Sequence, residues 1–174
     1  MARADWAPRR VLELLLTAMM PPNRLALEVS MATGLRIGDV LSIRTAQAIQ
    51  GRFTLVEQKT GKHRRVYLPR ELRERMFEQA GRFFVFEGRL SPFKPRTRQA
   101  VYKDLARVAA LYRLDGAKIK AHISPHTGRK MWAVEAYKAS GSLAHVQALL
   151  NHEDEAVTML YALADTLTTR EGKW

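Results

Sequence analysis

At 174 residues, with 47% hydrophobic and 26% charged residues, the chain is long enough for one ordinary domain with a real core and does not have a disordered composition. It has no cysteine, which excludes disulfides, thiolate metal sites and a thiol nucleophile, and its longest apolar patch, Val11 to Met20, is interrupted by Glu13 and Thr17 and is too short to cross a bilayer. The 29 Lys and Arg against 17 Asp and Glu leave a net charge of +12, which asks for a polyanionic partner. The arginines are spread along the chain rather than gathered on one amphipathic helix, so nucleic acid fits better than a membrane surface.

In chain order, Val11, Leu12, Leu14, Leu15, Leu16 and Met19 recur at helical spacing before Pro21-Pro22, and Leu25, Leu27, Val29 and Met31 continue into a second helix that Gly34 can terminate. A third short helix is expected from about Arg36, carrying Val40, Leu41 and Ile43. Two β-rich runs, Phe53 to Val56 and Arg65 to Leu68, flank Lys59-Thr60-Gly61-Lys62 and predict a hairpin with a basic tip. A helix from about Arg70 to Ala80 and a short apolar run at Phe83 to Phe86 follow. Glu87 to Arg98, with Gly88, Pro92, Pro95 and four basic residues, reads as a loop, either an element that contacts a nucleic-acid backbone or a solvated connector.

Tyr102, Leu105, Val108, Ala109 and Tyr112 give another helix, reached before a polar linker. Ser124-Pro125 starts the next, with Ser as cap and Pro at the first helical position, and Gly141 stops it. Ser142 can cap a helix running through Leu150, and Asp154 a last one containing Val157, Leu160, Tyr161 and Leu163. The expected fold class is α+β, mostly helical with a small antiparallel β-sheet, and residues 1–174 are expected to form a single domain.

Four segments place polar residues where the apolar pattern does not ask for them: Thr33 to Asp39, Lys59 to Lys62, His126 to Arg129, and Leu150 to His152 with Tyr161 nine residues later. Singly, none is diagnostic. An Arg beyond a helix end is ordinarily solvated or salt-bridged, a Lys on a hairpin tip solubilises, and a Tyr on an apolar helix face is ordinarily core. Together, two arginines, a lysine, two histidines and a tyrosine, without an acidic cluster for a divalent metal, are the groups that metal-free phosphoryl transfer needs.

Across Arg10 to Ala164 the chain resembles the tyrosine recombinase family, the phage integrases and their bacterial and plasmid relatives. Thr33-Gly34-Leu35-Arg36 matches the family's first arginine box, Lys59 in Lys-Thr-Gly its hairpin lysine, His126 and Arg129 its H-x-x-R box, Leu150 to His152 its L-G-H box, and Tyr161 its nucleophile. The intervals agree as well: 23 from Arg36 to Lys59, 23 from Arg129 to His152, and 9 from His152 to Tyr161. Lys62 is the alternative if the hairpin register slips by three. Two positions depart from the family pattern. Gly128 replaces an apolar residue inside a helix, at about 1 kcal/mol relative to Ala, and Asn151 stands where Gly is usual, a substitution that its tolerance of left-handed backbone angles permits.

The resemblance implies a catalytic domain of a site-specific recombinase or integrase that cuts and rejoins double-stranded DNA without metal, cofactor or ATP. The implied catalytic residues are Arg36, Lys59, His126, Arg129, His152 and Tyr161. Planar guanidinium forks suit Arg36 and Arg129 to the phosphate oxygens, and His152 can donate to the same phosphate. The Tyr161 phenol attacks with His126 as candidate base, Lys59 protonates the leaving 5′ oxygen, and a 3′-phosphotyrosine results. Asp39, one turn beyond Arg36, either orients an active-site cation or pairs at the surface.

Further expectations are that the amino-terminal core-binding domain of the family is absent, and that the chain is a monomer free in solution which meets other recombinase protomers on DNA. The implied setting is cytoplasmic, of bacterial, phage or plasmid origin, with no membrane partner. Two alternatives stay open: type IB topoisomerase-like relaxation, which shares the catalytic set, and a DNA-binding module that never cuts.

Overall fold

A computed structural model describes residues 7–114, 117–119 and 122–150. His152, Tyr161, Asn151 and the helix expected from Asp154 lie outside the described residues.

The amino-terminal third is helical, as its periodicity predicts. Helix α1 (Arg9–Thr17) buries Val11, Leu12, Leu15 and Leu16 along one stripe. Pro21 and Pro22 do not merely separate two helices: they occupy the first turn of α2 (Pro21–Thr33), where a missing N–H costs nothing. Gly34 ends α2 in the left-handed conformation, φ +66°. Helix α3 (Ile37–Leu41) is shorter than the pattern suggested, since Ile43 lies beyond it, and Arg36 stands at its N-cap. Helix α4 (Thr45–Gln50) is not foreshadowed, because six residues with one buried side chain, Ala48, carry no readable period.

The predicted hairpin forms from β1 (Arg52–Val56) and β2 (His63–Tyr67), antiparallel with Phe53 opposite Val66 and Leu55 opposite Arg64. Helix α5 (Arg70–Gln79) follows. The segment expected to be a loop instead folds as a second hairpin, β3 (Glu87–Gly88) with β4 (Ser91–Pro95). Its prolines hid it: in a two-stranded ribbon each strand has an open edge, so a residue without an N–H is tolerated. Two of the hairpin's apolar side chains are exposed, Leu90 of the turn at 91% and Phe93 of β4 at 70%, the latter stacked on Phe83.

Helix α6 (Arg98–Leu111) is capped by Thr97, whose hydroxyl accepts from Ala100 N at 3.1 Å. The linker after it contains a minimal ribbon, β5 (Arg113–Leu114) and β6 (Ala117–Lys118), so the single expected sheet is three two-stranded ones among the described residues. Helix α7 (Pro125–Ser140) begins and ends as expected, with Ser124 in a reciprocal cap with Thr127 and Gly141 left-handed at its end. Ser142 Oγ accepts from His145 N at 3.2 Å and starts α8 (Leu143–Leu150).

The core gathers α1, α2, α3, α6 and the inner face of the first hairpin, with Leu15, Leu35, Leu41, Phe86 and Leu105 among its fully buried members. Asp104 of α6 ties down the start of α2, accepting from Met20 N at 2.9 Å and Asn23 Nδ2 at 2.8 Å. Burial alone would raise its pKa, but these donors and Arg107 outweigh it and hold the carboxyl below its ordinary value.

Two glycines set how closely α7 approaches α2. A Cβ on Gly34 would lie 2.4 Å from Trp132 Cε3, so the α7 indole rests on the α2 terminus because no side chain stands there. A Cβ on Gly128 would lie 3.0 Å from Met31 Cγ, which accounts for the departure from the family's apolar residue at this position. Gly34→Ala combines left-handed strain with overlap on a packed ring and should destabilise the fold by about 3 kcal/mol. Gly128→Ala presses only on Met31 Cγ, in a side chain that can shift by a few tenths of an ångström, while gaining helix propensity, so it should stay within about 1 kcal/mol of the parent. Urea unfolding of the two variants measures both.

Candidate active site

The carbonyl end of α2 is the foundation of the site. The last carbonyls of a helix carry partial negative charge and lack intrahelical partners, so cationic donors are drawn to them. Arg64 of β2 donates from Nη2 to Thr33 O at 2.7 Å and from Nη1 to Gly34 O at 3.5 Å. Arg129 of α7 donates from Nη1 to the same Gly34 carbonyl and from Nη2 to Leu150 O at 3.1 Å. Arg129 therefore joins the carbonyl ends of α2 and α8, and it is only 2% exposed.

Arg36, two residues beyond Gly34, is 7% exposed and donates from Nη1 to Glu57 Oε2 at 2.8 Å. Glu57 follows β1, is fully buried, and also receives Arg64 Nη1 on Oε1 at 3.3 Å and Thr60 Oγ1 on Oε2 at 2.9 Å. Burial would raise the Glu57 pKa, but the bonds from Thr60, Arg36 and Arg64 prevail and lower it. Burial pulls the Arg64 pKa below its ordinary value while Glu57 opposes the change.

Of the two parts expected for Asp39, burial removes the surface pairing. Only 1% exposed, it accepts from the backbone N of Gln58 at 2.9 Å, so it fastens the hairpin turn to α3 rather than pairing at the surface. Its other oxygen, Oδ2, has no hydrogen-bond partner among the described residues. Burial raises its pKa, with Glu57 adding to the shift and Gln58, Arg36 and Arg129 opposing it.

Of the six sequence-predicted residues, the structure brings Arg36, Arg129 and the Lys59 turn into one neighbourhood. Lys59 is exposed in the turn between β1 and β2, beside Thr60. Lys62 sits at the ladder end instead, its carbonyl accepting from Glu57 N at 3.0 Å, so Lys59 keeps the tip position. His126 is exposed in the first turn of α7, one turn ahead of the buried Arg129, with its backbone N donating to Ser124 Oγ at 3.3 Å. His152 and Tyr161 are outside the described residues, although Arg129 reaches Leu150, two positions before His152. Among the described residues no group of three or more His, Asp or Glu is placed to hold a metal ion.

Sequence reasoning passed over Glu57, Arg64 and Trp132. The first two carried a signal: Phe53, Leu55 and Glu57, like Arg64, Val66 and Leu68, share the inward phase of their strands. A charged residue on the core phase of a strand must be paired. Trp132 had no such mark, being one more aromatic on a helix, yet its ring receives Arg64 at 5.8 Å and covers Gly34.

Because the folded pKa of Glu57 lies below its ordinary 4.5, the unfolded chain binds more protons as the pH falls through that region. Glu57 thus contributes stability that is present above 4.5 and lost on acidification through the folded value. Glu57→Gln should flatten this acid limb of a urea-midpoint-against-pH curve while lowering the plateau at neutral pH.

The phage integrase family model matches residues 7–167. The probable integrase/recombinase YoeC of Bacillus subtilis is 28% identical over 144 residues, 79% of this chain and 75% of that protein. The tyrosine recombinase XerD of Ralstonia nicotianae is 27% identical over 150 residues, 80% of this chain and 47% of that protein. Among solved structures, a lambda integrase dimer bound to a COC′ core site shares the fold at TM-score 0.70 and 18% identity, covering 99% of this chain and 51% of its own. XerA recombinase does so at TM-score 0.65 and 13% identity, covering 96% and 65%. The chain thus spans three quarters of one curated relative, about half of the other, and less than two thirds of these solved chains. Matched over nearly its whole length and folded as a recombinase catalytic domain, the chain belongs to the phage integrase family, the tyrosine recombinases.

Proposed function

We propose that residues 1–174 act as one catalytic domain of a site-specific recombinase or integrase, breaking and rejoining double-stranded DNA through a 3′-phosphotyrosine on Tyr161. The observation that carries this reading is the pair of buried guanidiniums, Arg36 and Arg129, fixed on either side of the α2 terminus with the Lys59 turn tied to the first.

A phosphodiester repels an incoming nucleophile, and its pentacoordinate transition state concentrates negative charge on the non-bridging oxygens. Arg36 and Arg129 supply donors already held in place, so little reorganisation is needed as that charge develops. His152 adds a donor to the same phosphate. The Tyr161 phenol, with an unperturbed pKa of about 10, gives its proton to His126 as it attacks. Lys59 delivers a proton to the 5′ oxygen as the bond to phosphorus breaks. The phosphotyrosine conserves the bond energy, so a 5′ hydroxyl reverses the step, and when that hydroxyl comes from another strand the result is recombination. The net charge of +12 draws the domain to DNA. It works in the cytoplasm, as a monomer in solution that meets other protomers on DNA. The relatives support the meeting on DNA, since lambda integrase has been solved as a dimer on a core site and as a tetramer on a Holliday junction.

Incubation with supercoiled plasmid in excess chelator should yield a protein-linked DNA band and relaxed plasmid. Binding without either product would leave only a DNA-binding module. Tyr161→Phe should abolish the covalent band while DNA binding by gel shift stays near the parent level. Arg36→Ala and Arg129→Ala should each slow cleavage by at least about 100-fold, corresponding to roughly 3 kcal/mol per lost charge-matched donor.

A further inference from the structure

Glu57 stands outside the set of six catalytic residues, yet it is the most enclosed charge near them. It continues the inward phase that Phe53 and Leu55 fill with apolar side chains, so its charge serves the groups it meets there, the Arg36 and Arg64 guanidiniums and the Thr60 hydroxyl, rather than packing. Its oxygen Oε2 is shared between Arg36 Nη1 at 2.8 Å and Thr60 Oγ1 at 2.9 Å, which couples the displacement of one donor to that of the other. The Thr60 hydroxyl in turn accepts from Lys62 N at 3.3 Å, and Gly61 N donates to Glu57 O at 2.8 Å, so the turn that bears Lys59 closes upon Glu57.

We propose that Glu57 is a positioning residue: through Thr60 it sets the Lys59 turn against Arg36, so that the leaving-group acid and the phosphate-binding guanidinium are held as one unit. The inference rests on the reading of Lys59 as the acid. In the forward step the Tyr161 oxygen forms its bond to phosphorus, the bond from phosphorus to the 5′ oxygen breaks, and the Lys59 ammonium proton goes to that oxygen. In religation the 5′ oxygen bonds to phosphorus and gives its proton to Lys59, the phosphotyrosine bond breaks, and the Tyr161 oxygen takes back its proton from His126. Thr60 and Glu57 transfer nothing; they fix the distance over which the proton travels.

The test measures single-turnover cleavage of two otherwise identical duplex substrates, one with oxygen and one with sulfur at the bridging 5′ position. A thiolate leaves without a proton, so sulfur makes the acid unnecessary. Thr60→Val removes the hydroxyl and leaves the rest of the turn; it should slow the oxygen substrate about tenfold, the effect of one hydrogen bond, and cleave the sulfur substrate at the parent rate. Thr60→Ser should restore the parent rate on oxygen. Glu57→Gln should slow both substrates, because Arg36 loses its anionic partner as well. Equal slowing of both substrates by Thr60→Val, or none on oxygen, would overturn the proposal, and that variant decides it even if Glu57→Gln fails to fold. Lys59→Ala run alongside separates the two layers of the argument. If sulfur fails to rescue Lys59→Ala, the assignment of the acid is wrong and the positioning role falls with it; if sulfur rescues Lys59→Ala but not Thr60→Val, only the positioning role falls.

Discussion

Three guanidinium groups drawn from three different parts of the chain, Arg36, Arg64 and Arg129, are held inside the fold against their mutual repulsion, and the rest of the structure answers to that constraint. Removing a cation from water costs several kcal/mol unless hydrogen bonds and opposite charge replace the lost solvation. Here two sources do so. Glu57 accepts from Arg36 and Arg64, and the carbonyl end of α2 accepts from Arg64 and Arg129. Such a cluster is a standing positive field whose natural complement is a further anion, which connects a packing problem to phosphate chemistry.

The backbone has been shaped around the cluster. α2 must present bare carbonyls at its end, and Gly34 in the left-handed conformation turns the chain there at little cost while leaving space for the Trp132 ring. α7 must come close enough for Arg129 to reach those carbonyls. Gly128 allows that approach over Met31, so the residue that departs from the family pattern and weakens the helix locally is compensated by the contact it permits. The reciprocal cap at Ser124 fixes where α7 begins, hence which residue of its first turns meets α2.

The Lys59 hairpin is attached to this centre by its inner phase and its turn rather than by its exposed face. Asp39 takes the backbone of Gln58, Glu57 takes the Thr60 hydroxyl, and both carboxylates are buried. Their pKa values move in opposite directions for a plain reason. Glu57 is met by charged and hydroxyl donors that outweigh its burial, whereas Asp39 receives one backbone donor and feels the charge of Glu57. Two carboxylates in one cationic neighbourhood thereby take separate tasks, one compensating charge and one anchoring backbone.

The sequence by itself determined most of the helices, the first hairpin, and the identities of Arg36, Lys59, His126 and Arg129 as candidates, because period, caps and terminal glycines are local properties of the chain. Helix α4 and the β3–β4 hairpin escaped it: the first is too short to show a period, and the second carries prolines that only an open strand edge excuses. Tertiary structure alone decided that Glu57 and not Asp39 holds Arg36, that Arg64 joins the cluster, and that Gly128 serves a contact. Each of these depends on which groups meet from distant parts of the chain, as Arg36 and Glu57 do at a separation of 21. Local pattern can mark a charge as buried, but only the packed fold supplies the partner that makes the burial tolerable.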